Sequence, residues 1–287
     1  MREKPKAVSI FLTIFIFLIL INSNIMIPNI ATKADSTKEL SFIDKKISIV
    51  SGFKIKFFKT RFVVYKKPNM PPSQKKGFPV LFLFHGAVQH AFSWFLGLNN
   101  WNKAQMSFTN SAIENGFFVV SFESLKPIKP GPRAWNIFEE TYNNSDFFYV
   151  RDVIDWLKNS SLTVDMNSIY CAGFSSGAFF CSELSQYFDY KFKGVVLNSG
   201  CNVECIDITK TGPVFNFTTG QYISSFHPST LIVHGKKDRF VPYECAESYY
   251  QDLKSNNINV TKLIDETGGH IWLKKYNDQI IGWLKNT

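Results

Sequence analysis

The sequence predicts an α/β domain, a mainly parallel sheet flanked by helices. Two patterns carry this. Short apolar runs such as "VLFLF" at 80–84 and "FFVVSF" at 117–122 contain no polar alternation, as strands buried on both faces require. Between such runs lie stretches with apolar residues at helical spacing, bounded by Gly, Asn and Asp. Strand and helix therefore alternate, the signature of a parallel sheet built from crossover units.

The elements follow in order. "KIKFF" and "RFVVYKK" read as paired strands around a short turn, and "NMPPSQKKGF" as a loop. "PVLFLFHG" is the first buried strand. "WNKAQMSFTNSAIENG" has helical spacing and ends at Gly116, a helix C-cap residue. "FFVVSF" is a second buried strand, and the proline-rich "ESLKPIKPGPRAWN" is a loop. "DFFYVRDVIDWLKNS" reads as a helix with Asp146 as its N-cap. "SIYCAG", "GVVLNS", "TLIVHG" and "VTKLI" are further strands, with helical stretches such as "SYYQDLKS" between them.

Composition bounds the function. The 287 residues are 45% hydrophobic and 19% charged, which is globular. The net charge of +9 is spread along the chain. No block of Lys and Arg interleaves with aromatics, which argues against a nucleic-acid surface. The 29 Phe in a chain with 16% aromatics imply apolar surface beyond the core. "MREKPK" followed by the uncharged "AVSIFLTIFIFLILI" has the basic and apolar regions of an export signal. Residues 1–34 are thus a signal peptide or N-terminal membrane anchor, and residues 35–287 form the catalytic domain. The body is expected to be secreted or held outside the cytoplasm, touching a membrane only through that segment. Cys171 and Cys181 read as buried thiols, while Cys201, Cys205 and Cys245 offer one disulfide whose pairing stays open.

Gly173-Phe174-Ser175-Ser176-Gly177 lies where a strand hands over to a helix. In that context G-x-S-x-G is a nucleophile elbow, and its central serine stands exposed on a sharp turn. Ser175 is therefore the nucleophile, and Ser176 supplies a backbone N–H to an oxyanion hole. A serine hydroxyl needs a base to take its proton and an acid to orient that base. "LIVHGKKDRFVP" places Asp238 just after a strand, and "TGGHIW" places His270 in a glycine loop after the next one. The order Ser, Asp, His suits this architecture. Asp265 and Asp207 are the rival acids. His234 reads as a buried turn residue, and His90 and His227 as surface loop residues. Ala87, after the strand ending in His85-Gly86, is the candidate for the second oxyanion amide.

"HGAVQ", "VDMNSIYCAGFSSGA", "HGKKDRFVPY" and "GGHIW" resemble the extracellular polyhydroxybutyrate depolymerase and feruloyl esterase group of the α/β-hydrolase superfamily. Trp101-Asn102 and "RAWNIF" are similar to that group's aromatic segments, and the likeness spans roughly residues 78–285. It implies the α/β-hydrolase fold and a serine carboxylic-ester hydrolase. Ser175, Asp238 and His270 form the triad, Ala87 and Ser176 the oxyanion hole, and a small ester or polyester is the substrate. No metal or organic cofactor is implied. The sequence departs from the group where Ser176 replaces a usual Ala and Ala178 a common Gly, and the lid-like stretch 201–228 has no polymer-binding module. Trp135 and Trp272 are the candidate substrate-binding side chains. Trp94, Phe138, Tyr142, Phe215, Phe217 and Tyr222 either line an apolar acyl pocket or pack the loops. Two other readings compete: a serine peptidase of the oligopeptidase type, and a catalytically silent binding protein on a hydrolase scaffold.

Overall fold

The computed structural model describes residues 52–287 except 60, 73–75, 126–132, 138–142, 189, 210–211, 216–218 and 221–222. Residues 1–34, expected to be a signal peptide or membrane anchor, lie outside the described residues. Strands β1 (Lys54–Phe57) and β2 (Phe62–Lys66) form the expected antiparallel pair. After them come β3 (Phe78–Phe84), helix α1 (Asn100–Glu114), β4 (Phe118–Phe122), α2 (Ser145–Asn159), β5 (Val164–Phe174), α3 (Ser176–Tyr187) and β6 (Gly194–Asn198). A two-stranded ribbon of β7 (Ile206–Thr209) and β8 (Gly212–Phe215) precedes β9 (Ser229–Gly235), α4 (Tyr243–Ser255), β10 (Val260–Asp265) and α5 (Asn277–Asn286).

The sheet has the order β1-β2-β4-β3-β5-β6-β9-β10. Every pair from β4 to β10 is parallel, and β2 runs against its neighbours. Side chains of a strand point alternately to its two faces, and β3 shows what that demands. Val80, Phe82 and Phe84 enter a core under α2, α3 and α4, while Leu81 and Leu83 enter another under α1 and α5. Both faces are apolar, so the strand reads as one continuous hydrophobic run. From β3 the chain moves to β4 on one side and later to β5 on the other. That change of direction opens a crevice at the carboxyl ends of β3 and β5, where ligands of open α/β sheets bind.

Helix α2 begins differently from the sequence expectation. Its N-cap is Asn144, whose side chain accepts the Asp146 N–H. Asp146 lies instead in the first turn, where a negative charge suits the helix dipole. It forms a buried ion pair with Arg61 and accepts the Asn136 N–H at 2.8 Å. Arg61 also stacks over Tyr149, 4.6 Å from the ring centroid. One long-range pair thus ties the lead into β2 to the start of α2, and removing one partner of such a pair costs roughly 3–5 kcal/mol.

Glu183 on α3 faces this cluster. Its Oε1 accepts from Asn144 Nδ2 at 3.2 Å, and its Oε2 has no partner among the described residues. Burial, with the nearby Asp146 charge, pushes its carboxyl up to about 9. The unfolded chain ionises a glutamate near ~4.3. Between those values the folded state holds a proton that the unfolded state has lost, so stability falls as pH rises. Glu183→Gln should therefore raise the thermal midpoint more at pH 8 than at pH 5. Equal shifts at both pH values in calorimetry would show that Glu183 is ionised in the fold.

Candidate active site

Ser175 sits between β5 and α3 with φ 53° and ψ −121°. A positive φ is rare for a non-glycine residue and marks a position that its surroundings hold in place. Two glycines make the turn possible. A Cβ on Gly173 would overlap the Gly177 carbonyl, and one on Gly177 would overlap the Phe84 carbonyl at the end of β3. The helix therefore starts against the strand at backbone distance, and Ser175 is lifted above the sheet edge. Its N–H donates to Asn198 O at 2.9 Å, which fixes the turn against β6.

The structure brings the three predicted side chains together. His270 Nε2 lies 2.9 Å from Ser175 Oγ, and His270 Nδ1 lies 2.8 Å from Asp238 Oδ2. The loops after β9 and β10 supply Asp238 and His270. They are joined by Lys236 N–H to Asp265 O and Lys237 N–H to Gly268 O, both 2.8 Å. The His270 ring lies between Phe174 and Phe240, with centroids 5.1 and 5.2 Å away. Asp238 Oδ1 accepts the Phe240 and Val241 N–H groups, each at 2.9 Å. Burial works to raise the Asp238 carboxyl. The His270 hydrogen bond and charge, with those two amides, outweigh it and hold the carboxyl below its ordinary value. The acid is thus kept ionised where it orients the imidazole.

Ala87 follows the end of β3, and Ser176 opens α3 directly after Ser175. Neither N–H meets an acceptor among the described residues. The Ser176 N–H is at the start of a helix, where donors have no intrahelical partner and favour negative charge. Val88, beside Ala87, has φ 58° and is 72% exposed, an outlier for a β-branched residue.

Other residues are placed differently from the sequence reading. Trp135 and Trp272, expected to touch substrate, are each 1% exposed and cannot line an open pocket. Trp135 stacks on Phe180 and donates from Nε1 to His85 O at 2.8 Å. Trp272 packs between Trp94 and Phe108 and donates to Asn277. Trp94 is buried in the same cluster, and Phe215 packs near Phe179. Phe138, Tyr142, Phe217 and Tyr222 lie outside the described residues. Asp265 pairs with Lys275 and accepts the Thr267 N–H, so it holds the turn before His270. Asp207 is on β7, its side chain outside the described residues. His227 is not a surface residue: it is buried, 2.7 Å from Tyr249 Oη, and burial lowers it to about 4. His234 is buried and donates to Val241 O, but it lies in strand β9, paired with Ile264, rather than in a turn.

Of the five cysteines, Cys201 and Cys245 form a disulfide and Cys171, Cys181 and Cys205 are buried thiols. Cys245 lies on α4. Burial, with Asp252 and Glu204, pushes the Cys205 thiol up to about 12, far from the reactive thiolate.

Sequence reading missed Asn198. Its Oδ1 accepts Leu273 N–H at 3.1 Å and its Nδ2 donates to Ile271 O at 3.0 Å, while its carbonyl takes the Ser175 N–H. It therefore links the elbow to the loop of His270. The one signal for it was a polar residue ending the apolar run "GVVLN".

A sequence profile of the prolyl oligopeptidase family matches residues 209–286, which hold Asp238 and His270 but not Ser175. A poly(3-hydroxyoctanoate) depolymerase of Pseudomonas fluorescens is 23% identical over 233 residues, covering 78% of this chain and 79% of the relative. Among solved structures, an α/β hydrolase enzyme from a Medee basin deep-sea metagenome library has a TM-score of 0.58 and 16% identity, covering 82% of this chain and 98% of that one. The Bacillus cereus carboxylesterase has a TM-score of 0.53 and 17% identity, covering 85% and 98%.

Gly177→Ala should abolish soluble expression or lower the denaturation midpoint severely, since backbone on backbone cannot give way. Gly282→Ala, with open space around it in α5, should be neutral or stabilising. Equal behaviour of the two variants in urea would refute the close-packed elbow. Sheet order, elbow and structural likeness together give the chain the fold of the α/β hydrolases.

Proposed function

We propose that this α/β hydrolase is a serine carboxylic-ester hydrolase that works through an acyl-enzyme. The observation that carries the reading is the unbroken chain Ser175 Oγ, His270 Nε2, His270 Nδ1, Asp238 Oδ2 at 2.9 and 2.8 Å. Ser175 attacks the ester carbonyl while His270 takes its proton, and Asp238 holds the imidazole in the tautomer that leaves Nε2 as acceptor. The Ala87 and Ser176 N–H groups receive the oxyanion. His270 returns the proton to the leaving alcohol, and water repeats the sequence to release the acid.

The acyl side is apolar in this reading. Val88, Leu125, Phe240 and Ile271, four of the eight exposed large hydrophobics among the described residues, all lie beyond the carboxyl ends of strands around Ser175. Such a rim suits an apolar ester or polyester better than a charged substrate. The depolymerase relative agrees with that chemistry. The match to the prolyl oligopeptidase family favours a second reading, a serine peptidase. A panel of matched aryl esters, polyester films and peptide anilides separates the two, and hydrolysis of the anilides alone would favour the peptidase.

Ser175→Ala should lower ester turnover by about 10³-fold or more while leaving the fold intact. No ester turnover by the wild type, together with no labelling by a fluorophosphonate, would instead support a silent scaffold.

We also propose that the body acts outside the cytoplasm. Fifteen uncharged residues after "MREKPK" gain by leaving water, while Arg2, Lys4 and Lys6 stay on the cytoplasmic side. N-terminal sequencing of the exported product should begin near Asp35, or the intact chain should pellet with membranes. A full-length soluble cytoplasmic product would refute both.

A further inference from the structure

The two N–H groups assigned to the oxyanion hole come from different elements, Ala87 after β3 and Ser176 at the start of α3. A hole made this way works only if the distance between the two elements is held, since the donors must meet one oxygen. Residues 133–136 cross both. Trp135 N–H donates to Ser176 Oγ at 3.2 Å, and Trp135 Nε1–H donates to His85 O at 2.8 Å. The Arg133 carbonyl accepts the Val88 N–H at 2.8 Å. Each side of the hole is thus bonded to this one short segment within one or two residues of its donor.

The segment is itself anchored. Arg133 pairs with the buried Glu123 and donates to Ser124 O at 2.5 Å. Glu123 Oε2 accepts the Ala91 N–H at 2.7 Å, and its Oε1 lies 3.1 Å from His90 Nδ1. Burial opposes the Glu123 charge, but the bond to His90 and the Arg133 charge outweigh it and hold the carboxyl below its ordinary value. The indole lies flat on Phe180, at 12° and 4.9 Å, so it has one orientation. Asn136 N–H is taken by Asp146 at 2.8 Å at the far end.

We propose that the segment 133–136 is a strap that sets the spacing of the oxyanion donors, with Trp135 and the Ser176 hydroxyl as its positioning groups. This deepens the esterase reading and rests on it. The strap also accounts for the Ser176 side chain, because an Ala at that position, as in the resembling group, has no hydroxyl to receive the Trp135 N–H. Ser176 then has two separable functions, a backbone donor to the substrate and a side-chain acceptor to the strap.

The test compares Trp135→Phe, Ser176→Ala and their double variant with Trp94→Phe. Trp135→Phe keeps a ring against Phe180 and deletes the Nε1 donor. Ser176→Ala keeps the backbone N–H and deletes the acceptor. Trp94→Phe removes an equally buried indole whose Nε1 has no partner among the described residues, so it controls for lost packing alone. Active-site titration with a fluorophosphonate corrects each preparation for folded enzyme. The strap requires kcat to fall about tenfold in each single variant and up to about 10²-fold in the double, with KM within about twofold, because misplacement by an ångström acts on the transition state. The Ki of a trifluoromethyl ketone, whose hemiketal oxygen occupies the hole, should rise by the same factors, and Trp94→Phe should change neither. Wild-type kcat in both single variants, or an equal loss in Trp94→Phe, overturns the strap while Ser175→Ala remains inactive. Activity surviving in Ser175→Ala overturns the esterase reading and the strap with it.

Discussion

Everything at the site depends on a backbone contact without side chains: the first turn of α3 lying directly against the end of β3. Gly177 has no Cβ to hold the two apart, and Gly173 has none to hold β5 from the same turn. With that approach fixed, Ser175 has no room for an ordinary conformation and takes φ 53°. The strain, of order 1–3 kcal/mol for such a residue, is offset by the surrounding core. Beneath the turn Trp135 stacks on Phe180 and both meet Phe84 edge to face, with centroids about 5 Å apart, and such pairs add ~0.5–1.5 kcal/mol each beyond burial. In the proposed esterase this rigidity is useful, because a nucleophile and two oxyanion donors must keep their mutual geometry during reaction.

Around this fixed point the remaining groups are held by polar links of long sequence range. Asn198 ties the elbow to the His270 loop, and paired amides tie the Asp238 loop to the turn before His270. The strap at 133–136 joins the two donors from the opposite side. These hydrogen bonds are buried or part-buried, and where a buried group is left without its partner the cost is about 1–3 kcal/mol. They therefore specify position more than they add stability. Phe174 and Phe240 then confine the imidazole ring, and the exposed face of Phe240 continues into the apolar rim.

Charge in the interior is handled by pairing or by neutralisation. Asp146 is paired with Arg61, and Glu123 with Arg133. Glu183, on the same helix as the elbow, has no cation pairing with it among the described residues and keeps its proton. His85, fully buried, is lowered to about 4 by burial and stays neutral, as its bonds to Gly86 O and from Ser124 N–H require. Asp238 differs because its amide donors and His270 favour the anion over the neutral acid. Burial and the Asp146 charge raise Glu183 against a single amide donor, whereas His270 and two backbone amides outweigh burial at Asp238.

The sequence by itself determined the alternating strands and helices, the elbow at Ser175 and the choice of Asp238 and His270. Each of these is a local property: a run of apolar residues, a pair of glycines at fixed spacing, a polar residue just past a strand end. What only the tertiary structure decided depends on which distant segments meet. Trp135 and Trp272 sit in or near loops, so sequence placed them at a pocket, yet the packing of Phe180 and Trp94 over them removes both from solvent. His227 was buried by Tyr249, 22 residues away, and Asp146 was taken from the N-cap by Arg61, 85 residues away. Asn198 looked like the end of a strand and is a link between two loops. Local pattern fixes an element's kind, whereas a side chain's role is set by neighbours that chain spacing does not encode.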